Sequence, residues 1–182
     1  MAKPTTMTKP RIAIISTGGT IEKTYDELSG VLANGLSVLD VMLASLELRG
    51  IEVLRVQLMN KDSLEMSDDD HTLIATTAES MARAADGVVV VHGTDRLQYS
   101  GERVVSMFGT PRRPIVFTGA MRPYELRSTD ALQNLTEALL AVQLLAPGVY
   151  VCMHNQVLQF PGVTKDRRLG TFVKTDEAAT ET

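Results

Sequence analysis

The sequence predicts an α/β fold: a single domain on a flavodoxin-like, doubly wound, mostly parallel sheet with flanking helices. Short β-branched runs, such as Ile12–Ile15 and Val88–Val91, are typical of buried strands in a parallel sheet. These runs alternate with longer segments whose apolar residues have helical spacing, and such alternation indicates βαβ units. A chain of 182 residues is long enough to bury one sizeable core without a metal or a disulfide.

The N-terminal part of the domain is predicted to hold two strands and a helix. The first strand lies near residues 11–16, and a loop rich in glycine, threonine and serine runs from Thr17 to about Gly35. The apolar face of the following helix is formed by Val38, Leu39, Val41, Met42, Leu43 and Leu46. A short second strand is expected around Val53–Leu58.

The rest of the domain continues the alternation. Ser67, with the acid Asp70 three positions later, predicts a capping box at the start of a helix that ends near Ala85. The elements expected after it are a strand at Gly87–Val91, a helix from about Gln98 to Phe108, a strand at Pro114–Phe117, a helix at Thr129–Leu145 and a strand at Val149–Met153.

The ends of the chain are predicted to lie outside the folded domain. Residues 1–10 are expected to be a disordered tail and residues 177–182 a solvated end, so the domain spans residues 11–176. No stretch reaches the roughly 18 uninterrupted apolar residues of a membrane span, and the first ten residues lack a signal-peptide core. We therefore expect a cytoplasmic protein that does not bind membranes.

Composition narrows the possible partners. With 18 Lys and Arg against 22 Asp and Glu, the net charge is −4, which disfavours a nucleic-acid partner. The short basic cluster at Arg112 and Arg113 is expected to be a solvated turn. The single cysteine, Cys152, stands in an apolar run and is expected to be a small buried residue rather than a nucleophile.

Thr20 is the first candidate for chemistry. It follows Gly18 and Gly19 directly after the first strand, where the loops of an open α/β sheet form a crevice for ligands. Paired glycines allow a sharp turn and leave backbone amides free to donate. The segment can therefore present a catalytic hydroxyl, cradle a phosphate or simply turn. The dinucleotide spacing G-x-G-x-x-G is absent, because the next glycine is Gly30.

The second hydroxyl-bearing loop is His92–Asp95, directly after the predicted strand Gly87–Val91. Thr94 beside Asp95 can be an activated nucleophile or part of a proton relay, because a hydroxyl attacks poorly until a base takes its proton. Asp95 can instead bind a substrate ammonium or cap the following helix. His92 is expected to be a hydrogen-bonded residue near the core rather than a base.

Three further polar residues have roles that depend on the fold. Lys165 stands in a charged turn, and it is a candidate base only if the fold holds it near Thr94. Tyr25, five residues after Thr20 in a polar loop, is either a lid element or an exposed tyrosine. Ser63, at the end of the second strand, can meet a substrate carboxylate or be an ordinary turn serine.

Four segments, in this order, resemble the bacterial-type L-asparaginases. They are Thr17-Gly18-Gly19-Thr20-Ile21, His92-Gly93-Thr94-Asp95, Gly119-Ala120-Met121-Arg122-Pro123 and Val163-Thr164-Lys165. Asp62-Ser63 with Met66 falls where the family has its substrate-carboxylate segment. Each motif alone is weak, whereas four in order are specific. The resemblance runs from about Arg11 to Asp176.

The resemblance implies hydrolysis of the side-chain amide of L-asparagine to L-aspartate and ammonia, without a cofactor or a metal. It makes Thr20 the nucleophile and Tyr25 its partner on a lid loop. Thr94, Lys165 and Asp95 would form a second, triad-like group that polarises or relays protons. The residues implied to contact the substrate are Gly19, Ser63, Leu64, Thr94, Asp95 and Ala120. Asp95 would meet the α-ammonium, Ser63 the α-carboxylate and the Ala120 carbonyl the amide end.

Two departures from the family pattern affect these expectations. Family members usually carry a second, smaller domain that sends a carboxylate into the neighbouring subunit's site, whereas this chain ends at Thr182. The form of its end favours a naturally short protein over a fragment. Leu64 stands where many members have a polar side chain, which should weaken or loosen substrate binding. Because family members form intimate dimers and often tetramers, a homo-oligomer is implied.

Two other functions remain open at this point. One keeps the chemistry and changes the substrate, to glutamine or to an amide on an aminoacyl-tRNA in an amidotransferase complex; the net charge disfavours tRNA. The other is a non-catalytic module that binds an amino acid. The complete set of Thr20, Thr94, Asp95 and Lys165 argues against loss of catalysis.

Overall fold

The computed structural model describes residues 8–26, 31–34 and 38–175. The strands are β1 (Arg11–Gly18), β2 (Lys23–Asp26), β3 (Val31–Asn34), β4 (Glu52–Lys61), β5 (Gly87–Val91), β6 (Ile115–Thr118), β7 (Val149–Met153), β8 (Gln156–Gln159), β9 (Val163–Asp166) and β10 (Thr171–Lys174). The helices are α1 (Leu39–Ala44), α2 (Asp68–Ala84), α3 (Leu97–Phe108) and α4 (Ala131–Leu144). The expected C-terminal end, and all of the N-terminal tail except residues 8–10, lie outside the described residues.

The central sheet has six strands in the order β4-β1-β5-β6-β7-β8. The first five are parallel, and β8 pairs antiparallel with β7 at one edge. Counted along the chain, the five parallel strands stand in the order second, first, third, fourth, fifth. This is the flavodoxin-like order of a doubly wound sheet, so the predicted fold class is confirmed.

Two hydrophobic cores, one on each face, hold the helices on the sheet. Along β1, Ala13 and Ile15 face the core beneath α2 and α3, while Ile12 and Ile14 face the core beneath α1 and α4. Successive side chains of a strand point to opposite faces, and here both faces are apolar because both are covered. Each fully buried Val or Ile contributes about 1.5–3 kcal/mol relative to exposure. Cys152 is buried in the second core, as expected, and burial raises the pKa of its thiol to about 11.

The predicted capping box at the start of α2 is present. The Asp70 N–H donates to Ser67 Oγ at 3.2 Å, and the Ser67 N–H donates to Asp70 Oδ2 at 2.8 Å. Lys61 Nζ also donates to Asp70 Oδ1 at 2.8 Å. The Lys61 and Ser67 hydrogen bonds lower the pKa of Asp70 to about 2. A local pattern therefore predicts this helix start correctly.

Several expectations for polar segments were wrong. The predicted loop from Thr17 to Gly35 contains a 3-10 turn and the hairpin β2–β3, and the second strand of the sheet, β4, is longer than Val53–Leu58. Lys165 lies in strand β9 rather than in a turn, and β9 pairs with β10. Each of these hairpin strands has only four residues, and none alternates strictly between apolar and polar residues, so they lack the pattern that marks a strand. Helix α1 is also shorter than its apolar residues suggested.

Candidate functional site

Loops from two neighbouring strands pack together at the carboxyl edge of the sheet. We call residues 17–22, which end β1 and follow it, the Thr20 loop, and residues 92–95, after β5, the Thr94 loop. Thr17 Oγ1 donates to the Val91 carbonyl at 3.0 Å. Gly19 has φ 88°, a region that favours glycine, and a β-carbon there would overlap Gly93. Gly19 is therefore needed for the close approach of the two threonine loops.

Lys165 reaches the Thr94 loop from strand β9. Its Nζ donates to Thr94 Oγ1 at 2.8 Å and to Asp95 Oδ1 at 3.0 Å. Thr94 is buried, and 13% of the Lys165 side chain is exposed. The structure thus makes the contact that sequence spacing could not show.

Asp95 is held by two cations and does not cap the following helix. Besides Lys165, Arg167 Nη2 lies 3.4 Å from Asp95 Oδ1. The residue before α3 is Arg96, and no side chain caps that helix. The capping alternative for Asp95 is therefore wrong. Arg167 was not among the predicted site residues; it lies in the turn directly after β9, where no local pattern marks it.

The side chains of Thr20 and Tyr25 are not hydrogen-bonded to each other in this conformation. Thr20 opens the 3-10 turn after β1 and is half-buried. Tyr25 lies on β2 with 57% of its surface exposed, and its phenol makes no hydrogen bond with Thr20 or any other described residue. Its backbone N–H donates to Glu125 Oε2 at 2.7 Å. The hairpin that carries Tyr25 is thus tied to the loop after β6.

Ser63 is buried against the Thr94 loop. It begins a 3-10 turn after β4, and a β-carbon built on Gly93 would lie 2.7 Å from Ser63 Oγ. Asp62 accepts from Lys23 Nζ at 2.7 Å and from the Leu64 N–H at 3.0 Å. Both hydrogen bonds lower the pKa of Asp62, so its carboxylate stays charged and fixes the turn. The Leu64 side chain is exposed.

Ala120 lies buried in the loop after β6, which a single carboxylate organises. Asp130 accepts the backbone N–H groups of Met121 and Arg122, both at 3.0 Å, and His154 Nε2 lies 2.8 Å from it. Burial alone would raise the pKa of Asp130, but the Met121, His154 and Arg122 hydrogen bonds lower it further than burial raises it. The Ala120 backbone is therefore held in one arrangement.

The surroundings of the site contain a cavity and a hydrogen-bonded serine, Ser100, that the sequence did not indicate. A cavity of about 430 Å³ opens beside Lys165, and it is lined by Asp95, Met121, Arg122, His154, Lys165, Arg167 and Gly170. Beneath the Thr94 loop, His92 is buried, and both of its ring nitrogens have hydrogen-bond partners. The prediction of a satisfied core histidine is confirmed. Its partner Ser100, eight residues later on α3, belongs to no recognisable motif.

In the part of the chain that the structure describes, the histidine, cysteine and acidic side chains form no group of three or more that could hold a metal ion. None of the helices in this part has the length and apolar character needed to cross a membrane.

Comparison with known proteins shows similarity over nearly the whole chain. The family model described as "Asparaginase, N-terminal" matches residues 11–175. A glutamyl-tRNA(Gln) amidotransferase subunit of Haloquadratum walsbyi is 37% identical over 147 residues, which are 80% of this chain and 33% of that protein. L-asparaginase of Thermococcus kodakarensis is 30% identical over 162 residues, which are 88% of this chain and 49% of that protein.

Solved structures share the fold. The thermostable L-asparaginase from Thermococcus kodakarensis superposes with a TM-score of 0.81 at 29% identity, covering 90% of this chain and 51% of that one. A probable cytoplasmic L-asparaginase from Campylobacter jejuni gives a TM-score of 0.76 at 30% identity, covering 91% and 52%. The chain spans between 33% and 52% of the length of these relatives and solved structures.

Proposed function

Since this chain belongs to the asparaginase family, whose N-terminal domain it matches over residues 11–175, we propose that it hydrolyses the side-chain amide of L-asparagine to L-aspartate and ammonia. The observation that carries the proposal is the Lys165 ammonium, 2.8 Å from Thr94 Oγ1 and 3.0 Å from Asp95 Oδ1. The loop that bears Thr94 packs on the loop that bears Thr20, so two hydroxyls can serve one substrate.

The amino-acid part of the substrate is bound by opposite charges and polar groups. Lys165 and Arg167 both contact Oδ1 of Asp95, so Oδ2 is the oxygen that a substrate ammonium can approach. Ser63 takes the α-carboxylate, which requires its buried hydroxyl to become accessible. Fixing both ends holds the amide carbon within attack distance of Thr20. The exposed Leu64 adds no polar contact, so the substrate head is bound by few groups.

Thr20 attacks the amide carbon in the first step. Its hydroxyl loses a proton as the new C–O bond forms, and the amide oxygen becomes an oxyanion that needs preorganised donors. The amide nitrogen takes up a proton and leaves as ammonia when the C–N bond breaks. A β-aspartyl ester on Thr20 remains. Tyr25 would approach Thr20 when the hairpin β2–β3 closes over the substrate.

Thr94, Lys165 and Asp95 act on the water that completes the reaction. Lys165 donates to Thr94 Oγ1, so the Thr94 hydroxyl hydrogen is directed away from the ammonium and toward the reacting groups. Asp95 neutralises the Lys165 charge in a partly buried place. Water adds to the ester, the Thr20–carbonyl bond breaks, and L-aspartate and the Thr20 hydroxyl are formed. Water and amide together account for both products.

The assembly that we propose for this activity is a cytoplasmic homo-oligomer without a cofactor. The exposed apolar residues Leu140 and Leu144 on α4 support burial of that helix in an assembly. A related structure is described as a probable cytoplasmic L-asparaginase. Sedimentation of the purified chain measures the oligomeric state; a monomer at all concentrations would contradict this part of the proposal.

Ammonia release tests the activity. The purified chain should release ammonia from L-asparagine, Thr20→Ala should reduce the rate to background, and Thr20→Ser should retain part of it because the hydroxyl is kept. Binding of L-asparagine to each variant is measured in parallel by calorimetry. A chain that binds asparagine and releases no ammonia above the Thr20→Ala background would instead be an amino-acid-binding module.

A second candidate is the amidase component of an amidotransferase. The observation in its favour is the 37% identity to the amidotransferase subunit of Haloquadratum walsbyi, against 30% to the L-asparaginase of Thermococcus kodakarensis. The net charge of −4 disfavours direct contact with tRNA, so such a chain would need a partner protein for that contact. Ammonia release from glutamine at a rate equal to or above that from asparagine would favour a glutamine-using enzyme over the leading proposal.

A further inference from the structure

Three buried side chains beneath the Thr94 loop form a continuous chain of hydrogen bonds. Ser100 Oγ on α3 lies 2.7 Å from His71 Nδ1 on α2 and 2.8 Å from His92 Nε2. His92 Nδ1 lies 2.8 Å from the Gly93 carbonyl oxygen. All three side chains are buried, and the two imidazoles stack with their planes 10° apart. These hydrogen bonds therefore connect helix α2 to the backbone of the loop that carries Thr94.

The Gly93 carbonyl fixes the direction of every hydrogen bond in this chain. A carbonyl only accepts, so His92 Nδ1 carries the proton, and Nε2 of the neutral ring is an acceptor. Burial lowers the pKa of His92 to about 4, which keeps the ring neutral near pH 7. Ser100 must then donate its one hydroxyl hydrogen to His92 and accept from His71 Nδ1–H. His71 Nε2 is left unprotonated, and it is buried without a partner among the described residues.

The end of this chain controls one peptide group of the candidate site. In a trans peptide the carbonyl of Gly93 and the N–H of Thr94 point in opposite directions. Because His92 holds the carbonyl toward its buried ring, the Thr94 N–H is aimed away from that ring. The Thr94 N–H donates no hydrogen bond to another residue that the structure describes.

We propose that Ser100 is a positioning residue that acts through His92 to set the orientation of the Gly93–Thr94 peptide and so the position of the Thr94 groups against the substrate. Its effect on catalysis rests on the proposed function, whereas the order of the hydrogen bonds does not. The Ser100 hydroxyl has this role because it hydrogen-bonds both rings. Without it, His92 Nε2 loses the donor that, together with the Gly93 carbonyl, fixes the orientation of the ring.

Nuclear magnetic resonance tests the positioning independently of activity. In the wild type, ¹⁵N spectra of the imidazoles should show both His92 and His71 protonated at Nδ1 at pH 7. Ser100→Ala should shift the Thr94 backbone amide resonance and the His92 Nε2 resonance, because Nε2 loses its donor while the Gly93 carbonyl still holds the proton on Nδ1. Ser106→Ala should do neither, because the exposed Ser106 hydroxyl bonds only a carbonyl of its own helix. A wild-type His92 protonated at Nε2, or an unmoved Thr94 resonance in Ser100→Ala, would overturn the proposal.

Kinetics with L-asparagine test the catalytic consequence. Ser100→Ala should lower kcat between about 10-fold and 100-fold with KM changed less than about twofold, because the substrate anchors remain while the Thr94 groups are misplaced. Ser100→Thr, which keeps the hydroxyl, should recover most of kcat, and Ser106→Ala should match the wild type. A Ser100→Ala protein that is less stable to urea yet keeps full kcat when folded would show a merely structural role. If the wild type releases no ammonia, the proposed function fails, and the resonance measurements alone decide the positioning.

Discussion

Lys165 reaches the Thr94 hydroxyl because of its neighbour across the β9–β10 hairpin. Lys165 pairs with Phe172 in this antiparallel ladder, and directly opposed residues point to the same face. Phe172 is 2% exposed and packs in the core beneath α2 and α3, so it draws the Lys165 side chain toward the domain. The buried Phe172 thus positions the Lys165 ammonium beside Thr94, which lies 71 positions away in the sequence.

Replacing the ammonium should lower turnover and leave the fold in place. Lys165→Met keeps most of the side-chain volume and removes the charge, so kcat for asparagine should fall roughly 100- to 10,000-fold, the size of a proton-transfer contribution. Far-ultraviolet circular dichroism and the urea midpoint should stay close to wild type. Lys9→Met, at an exposed lysine outside the site, is the control. An unchanged kcat in Lys165→Met would rule out a relay through this group.

Among the secondary-structure elements, the sequence predicts those that have a local capping signal or a continuous apolar run. Helix α2 is predictable because its capping box and apolar face lie within the helix itself, and β5 because its valine run is buried on both sides. The strands of hairpins β2–β3 and β9–β10 have four residues each without strict alternation, and they are held by pairing and by contacts with distant segments such as Glu125. Such contacts leave no local pattern, so these strands could not be foreseen.

The capping box of α2 makes a measurable contribution to stability. Ser67→Ala removes the side-chain oxygen that accepts from the Asp70 N–H, and it should lower the free energy of unfolding by about 1 kcal/mol. Urea denaturation of the variant and the wild type gives the difference. Ser106→Ala serves as the matched control, with an expected change within about 0.5 kcal/mol. Equal losses in the two variants would mean that the cap does not stabilise the helix.

At the scale of the whole molecule, the doubly wound sheet determines where the site can be. The strand order brings the carboxyl ends of β1 and β5 side by side, so Thr20 and Thr94 are neighbours as a consequence of topology. The convergence of these two loops follows from the alternation of strands and helices that the sequence predicts. The partners of the site, such as Arg167 and Ser100, depend on packing between β9, α3 and the loops. Packing of this kind has no periodic signal in the sequence.

Global stability should fall as the pH drops from about 6.5 toward 4. Burial lowers the pKa of His92 from 6.5 to about 4 and also lowers that of His71, so the unfolded chain binds protons more readily in this range. One such histidine contributes at most about 1.4 kcal/mol per pH unit. His71→Asn keeps an N–H donor for Ser100 and does not titrate, so its slope should be smaller. Urea midpoints measured between pH 7 and pH 4 compare the two proteins, and identical slopes would contradict this assignment.

The proposed mechanism depends most on attack by the Thr20 hydroxyl and on one site formed by the two threonine loops. Mass spectrometry of the protein quenched during turnover of L-asparagine tests this directly. We predict a β-aspartyl adduct on the peptide that contains Thr20, absent from Thr20→Ala and accumulating in Lys165→Met, where its hydrolysis is slowed. An adduct on a different residue, or ammonia release by Thr20→Ala at the wild-type rate, would contradict attack by Thr20.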